Sequence, residues 1–209
     1  MMSKGGRVFT ILTVFFALVA MAFLIRWDKG TIHLAMDAWH TGTSPTFFKY
    51  WTHLGDGIAV VAAVVLLLAL RRSGAMVIST AVTGITVLVV IGLLKNVVFE
   101  DVDRPWGYFE EGTLRLIPDL EQHSHKSFPS GHTTAAFALY AILAFWINKR
   151  WASIGLFLIA LSVGYSRMYL NQHFLIDVFV GALLGTAIAW LNYYIFSSSR
   201  SPRLRSKLF

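Results

Sequence analysis

Six stretches of the chain, residues 8–25, 58–70, 75–94, 133–147, 152–165 and 174–196, are almost wholly apolar, and polar residues collect in the segments between them. A helix of about twenty apolar residues spans the hydrocarbon core of a bilayer, because its backbone satisfies its own hydrogen bonds where no water can. The pattern predicts an all-α fold: a bundle of six transmembrane helices forming one domain, residues 1–209. Between the first two runs, Ile32, Ala35, Met36 and Trp39 recur at helical spacing. Ser44-Pro45 then reads as an N-cap and first helical position ahead of Phe47, Phe48 and Trp51. Both segments are expected to be short interfacial helices in the extracytoplasmic loops, anchored by aromatic rings at headgroup level, with a lid over a lipid site as the alternative.

Composition agrees with the pattern. The chain is 56% hydrophobic and 14% charged, with a mean hydropathy of +0.62, which excludes an ordinary soluble globular protein. Lys4 and Arg7 precede the first run as in a secretory signal, but the run is longer than a signal's apolar core. It ends at Arg26-Trp27 without a small-residue cleavage pattern, so a mature helix is expected. There is no cysteine, hence no disulfide.

Charge sets the expected orientation. If the helices alternate, Lys4, Arg7, Arg71-Arg72, Lys149-Arg150 and the basic tail 197–209 fall on one side, and the acidic residues fall on the other. By the positive-inside rule both termini are cytoplasmic. The net charge of +7 is then a topology signal with affinity for anionic membrane lipids, and nucleic acid is not an expected partner. Small size and short loops point to a bacterial inner (plasma) membrane protein. Gly181 and Gly185 are read as packing the last helix against its neighbours rather than building a dimer; the oligomeric state is not legible.

Three polar clusters fall on the outer side. Lys95, Arg104 and Arg167 offer cations, and the two guanidinium forks match phosphate oxygens. Ser130 and Gly131, in Pro129-Ser130-Gly131-His132, immediately precede a helix whose N–H groups and dipole favour an anion. His173 and Asp177 stand four apart at a helix start, so the carboxylate can hold one ring nitrogen and leave the other as a nucleophile. His132 lies on the same side, placed to protonate a leaving oxygen. The runs after His132 and before Ser166 are about 15 residues, or about 22 Å, against a hydrocarbon core of about 30 Å. The outer ends of those helices are therefore expected to sit sunken near headgroup depth, where an anionic head on an apolar tail is the fitting substrate.

Taken together, these residues resemble the type 2 phosphatidic acid phosphatase family of integral-membrane lipid phosphatases. Lys95 with Arg104-Pro105, Pro129 to His132, and Ser166-Arg167 with His173 and Asp177 match its three motifs, over residues 95–185. Eight residues separate Lys95 from Arg104, where the family's usual gap is six. The resemblance implies a phosphohistidine on His173, oriented by Asp177, with His132 protonating the leaving group. It also implies a phosphate cradle of Lys95, Arg104, Ser130, Gly131 and Arg167, and no metal or other cofactor. Candidate substrates are undecaprenyl diphosphate, phosphatidylglycerol phosphate, phosphatidic acid and lipid A.

Two other functions fit parts of the pattern. A carrier of anionic lipids uses the same cradle without turnover, although binding alone needs no paired histidines. A vanadate-dependent haloperoxidase shares the site but is soluble. His123 and His125 flank Ser124 and suggest a metal site only weakly, since neither a cysteine nor a second helix-spaced histidine pair accompanies them.

Overall fold

The computed structural model describes residues 3–38, 44–117 and 119–198, and every regular element among them is a helix. Trp39 and the basic tail from residue 199 onward lie outside the described residues. In chain order the helices are α1 (Lys4–Arg26), α2 (Lys29–Asp37), α3 (Ser44–Trp51) and, after a 3₁₀ turn at Thr52–Gly55, α4 (Gly57–Ala69). There follow α5 (Gly74–Leu93), continued by a π turn at Leu94–Val98, and α6 (Pro105–Tyr108). The last three are α7 (Gly131–Ile147), α8 (Arg150–Tyr169) and α9 (Leu175–Ser198). The six apolar runs fall on α1, α4, α5, α7, α8 and α9.

Local chemistry sets where these helices begin. Ser3, Asp56, Ser73 and Ser130 each occupy an N-cap in extended conformation, and their side chains accept from the N–H groups of the first turn. Those donors have no carbonyl partner within the helix, which is why short oxygen-bearing side chains are favoured there.

The protein crosses the membrane several times. α1, α5 with its π turn (Gly74–Val98), α8 and α9 are each long and apolar enough to span it alone. Pro45–Gly55 and Gly57–Ala69 pass the same test as a pair bent by 57°, and α7 is apolar but only 17 residues long. α8 reaches beyond its apolar run to Tyr169, so Ser166 and Arg167 lie in its last turn and only α7 keeps the short length expected of both.

α7 is the central helix, with most of its residues buried by α1, α5, α8 and α9. Phe9, Phe137 and Phe157 meet edge to face there, with ring centroids 5.7 to 6.2 Å apart. The outward faces stay apolar, as with Ile11, Phe15 and Leu18 on α1, and suit contact with lipid. Two residues of the segments expected at the interface turn inward instead. Ile32 is buried, and Trp51 packs on the core and donates its indole N–H to Ser162 Oγ at 2.9 Å.

α7 and α9 approach so closely that a Cβ on Gly185 would strike the Thr134 carbonyl oxygen and stand 2.9 Å from the Ala138 nitrogen. Gly185→Ala is expected to cost about 1–3 kcal/mol by overpacking, read as a lower thermal midpoint in detergent. The close approach also carries function. It brings the first turn of α9 against the start of α7, where the Ser130 N–H donates to the Asp177 carbonyl at 3.1 Å.

Candidate active site

The second and third sequence clusters meet at this junction. Asp177, in the first turn of α9, turns its Oδ2 back to accept from the Phe174 N–H at 3.0 Å and from Ser127 Oγ at 2.5 Å. The same oxygen stands 3.2 Å from His173 Nδ1. All three side chains are buried, so the carboxylate orients the ring and Nε2 is left as the free nitrogen. Burial holds the His173 imidazole well below its ordinary value of 6.5, and the cations Lys95, Arg104 and Arg167 push in the same direction. The ring is therefore neutral at physiological pH, the form a nucleophile requires.

The loop carrying His173 is fixed from both sides. Asn171 follows the end of α8 with a φ of +54°, a left-handed conformation that asparagine tolerates at helix ends. Its Oδ1 accepts from His33 Nε2 at 2.9 Å, and its Nδ2 donates to Asp37 Oδ1 at 3.0 Å and to the Arg115 carbonyl at 3.4 Å. Through these bonds α2 clasps the loop.

The cations converge from three elements. Arg104, at the start of α6, donates from Nε to the His125 carbonyl at 2.9 Å and from Nη1 to Gln172 Oε1 at 2.9 Å. Arg167 donates from Nη1 to Thr52 Oγ1 at 3.0 Å and from Nη2 to Gln172 Oε1 at 3.5 Å, and its buried Nε has no partner among the described residues. Lys95 lies in the π turn that continues α5. Its Nζ donates to the Lys126 carbonyl at 2.8 Å, and Arg104 Nη2 reaches the same oxygen at 3.5 Å. The wider spacing between Lys95 and Arg104 does not part them.

Ser130 plays a different part from the one its motif suggests. Its N–H, expected to face an anion, is donated to Asp177, while its hydroxyl caps α7 through the Thr133 N–H at 3.4 Å and Thr133 Oγ1 at 2.8 Å. The N–H of Gly131, one residue on, is a first-turn donor with no carbonyl partner within the helix.

A groove of about 980 Å³ opens beside the junction, between α4, α5 and α7. Lys95, Arg104, Gly131 and His132 line one end, and Val60, Val64, Leu88, Ile91, Ala135 and Leu139 are among its apolar walls. Ser130, Arg167, His173 and Asp177 are not in this lining. Gln172 ties Arg167 to the groove through the lining Arg104, and Ser130 precedes the lining Gly131.

Sequence reasoning missed Thr52, Ser127 and Gln172, which bond to candidate residues, and Asn171, which fixes the loop that carries His173. Three lie within two positions of a motif residue, the only signal that marked them. Thr52 had none. His125 pairs with Asp103 at 3.0 Å, and among the described residues no three His, Asp or Glu side chains come together as metal ligands.

Lys95 gives a test of the electrostatics. Lys95→Met removes a cation that opposes protonation of His173, so the imidazole pKa rises. The acidic limb of the rate against pH is expected to move to higher pH than in the wild type, measured on the residual activity.

An all-helical membrane protein with a buried, oriented histidine beside clustered cations is the class that fold and geometry define. Residues 72–201 match the PAP2 superfamily, and the chain belongs to that family. It is 31% identical to the undecaprenyl-diphosphatase BcrC of Bacillus subtilis, over 69% of this chain and 72% of that protein. It is also 40% identical to the lipid A 4'-phosphatase of Bacteroides thetaiotaomicron, though over only 38% of this chain and 35% of that protein. The match to the phosphatidylglycerophosphatase B of Bacillus subtilis is 34% identical over 48% of this chain and 55% of the relative. The chain thus spans about a third and about half the length of the latter two. Its fold is similar to the crystal structure of a PAP2 type phosphatidylglycerolphosphate phosphatase from Bacillus subtilis, with a TM-score of 0.61 and 24% identity over 93% of this chain and 98% of that one.

Proposed function

We propose that the protein is a lipid phosphatase that hydrolyses a lipid phosphate monoester or diphosphate through a phosphohistidine. The observation that carries this reading is the groove, cationic at one end and apolar along its walls, whose lining Gly131 follows the Ser130 that bonds to Asp177 and whose lining Arg104 bonds to Gln172 beside His173. An anionic head seats at Lys95 and Arg104 while its tail lies along α4, α5 and α7.

The chemistry follows from the donors present. His173 Nε2 attacks phosphorus, the bond from phosphorus to the lipid oxygen breaks, and His132 gives that oxygen its proton. Asp177 stabilises the charge that develops on the His173 ring. Water then attacks the phosphohistidine and releases inorganic phosphate, its proton passing to His132. Lys95, Arg104, Arg167 and the Gly131 N–H stabilise the transferring group, and Ser130 holds the helix start that presents Gly131. These groups meet the charge of the phosphoryl oxygens without a metal or other cofactor.

The whole described chain acts as one domain with six crossings, α7 being the short one and α3 with α4 forming a broken one. The basic turns at Arg71-Arg72 and Lys149-Arg150 face the cytoplasm of a bacterial inner membrane, and the site faces the opposite side. A reporter inserted near Glu110 is expected outside; protease access to that loop only from the cytoplasm would reverse the orientation. Undecaprenyl diphosphate and phospholipid phosphates rank highest as substrates, ahead of lipid A, and the names of the relatives are consistent with this range.

Phosphate release by the purified chain across these four lipids, with EDTA present, tests the reading. Release from at least one is expected. Retention of the lipids without any release would instead make the protein a carrier.

A further inference from the structure

Gln172 precedes His173 and is almost fully buried. Its amide has one possible orientation. Nε2 donates to the Glu121 carbonyl at 3.3 Å and to Gln122 Oε1 at 3.1 Å, which turns Oε1 toward the two guanidiniums. That one oxygen accepts from Arg104 Nη1 at 2.9 Å and from Arg167 Nη2 at 3.5 Å. The Gln172 backbone carbonyl also accepts from Arg104 Nη1 at 3.4 Å, and its N–H donates to the Arg167 carbonyl at 3.0 Å.

Arg104 and Arg167 come from distant parts of the chain, and their like charges repel. A shared acceptor opposes that repulsion and fixes the distance between the forks. The chemical nature of the acceptor matters as much as its place. A carboxylate there would hold the guanidiniums more tightly but cancel part of their charge, in competition with any phosphate. A neutral amide ties them together and leaves both charges for a ligand. The Arg167 Nε is buried with no partner among the described residues, so this guanidinium keeps a donor beyond those that hold it in place.

We propose that Gln172 is a positioning residue for the phosphoryl group: its neutral amide oxygen presets the spacing of the Arg104 and Arg167 forks without spending their charge. The proposal rests on the reading of the site as phosphate-binding. It assigns to this position a requirement for an uncharged acceptor, and so sets affinity for the anionic head rather than the chemistry on His173.

The test uses the full chain in detergent, with orthovanadate as a phosphate-like probe and the lipid phosphate monoester that the wild type hydrolyses best. Gln172→Glu is nearly isosteric. It is expected to raise KM and the vanadate concentration for half-inhibition at least about tenfold, with kcat lowered less, and to lose the rise in thermal midpoint that vanadate gives the wild type. Gln172→Met, which keeps neutrality but removes the acceptor, is expected to weaken vanadate less than Gln172→Glu does. If Gln172→Glu does not fold, Gln172→Met decides: vanadate affinity unchanged from wild type overturns the proposal, and a loss supports it. Vanadate and KM values for Gln172→Glu within twofold of wild type also overturn it. A wild type that releases no phosphate from any lipid refutes the catalytic reading instead, and the vanadate thermal shift still decides the role of Gln172.

Discussion

His173→Ala is expected to lower phosphate release by about 10⁴-fold or more and to leave no acid-labile phosphoenzyme after rapid quenching with labelled substrate. The size of the effect follows from the arrangement around the ring. Asp177 Oδ2 gathers Ser127, the Phe174 N–H and His173 Nδ1 at one point, and among the described residues no second histidine bonds to that carboxylate to take over. His132→Ala is the informative contrast, since it removes a proton donor rather than the nucleophile. A monoester expels an alkoxide and depends on that proton, whereas a diphosphate leaves as a stabilised phosphate anion and suffers less. Full turnover by His173→Ala would end the mechanism.

Arg167→Lys comes second, with an expected loss of at least about tenfold in turnover, equivalent to about 1.4 kcal/mol in the barrier. Charge is kept in this exchange, so the loss measures geometry. The guanidinium reaches Thr52 with one nitrogen and Gln172 with another. A single ammonium cannot reach both partners, so the exchange either strands the buried Thr52 hydroxyl or leaves Gln172 held by Arg104 alone. Turnover within twofold of wild type would mean that only the charge matters.

The apolar runs were readable because the bilayer demands long stretches without charge, and each became a helix. The candidate chemistry was readable because histidine, aspartate and arginine next to such stretches need a reason to be there. Gln172, Ser127, Thr52 and Asn171 were not, since neutral polar residues in loops carry neither period nor charge. Their importance comes from tertiary contacts such as that between Thr52 and Arg167, 115 residues apart in sequence. The role of the Ser130 N–H was misjudged for the same reason. A helix start in isolation offers its donors to an anion, but the close approach of α9 at Gly185 brings the Asp177 carbonyl to that N–H first. The π turn under Lys95 likewise leaves no mark in the apolar pattern of α5.

The shortness of α7 is made good at the end away from the site. Its seventeen residues rise about 25 Å, while α9, which starts level with it where the Ser130 N–H meets the Asp177 carbonyl, runs to twenty-four. The missing length therefore falls at the opposite end of the bundle. There Asn148 closes α7 in a left-handed conformation, and its Oδ1 accepts from the Gly5 N–H at 3.0 Å. The first turn of α1 thus caps the central helix from outside, and the two ends of the bundle are closed by parts of the chain that lie far apart in sequence.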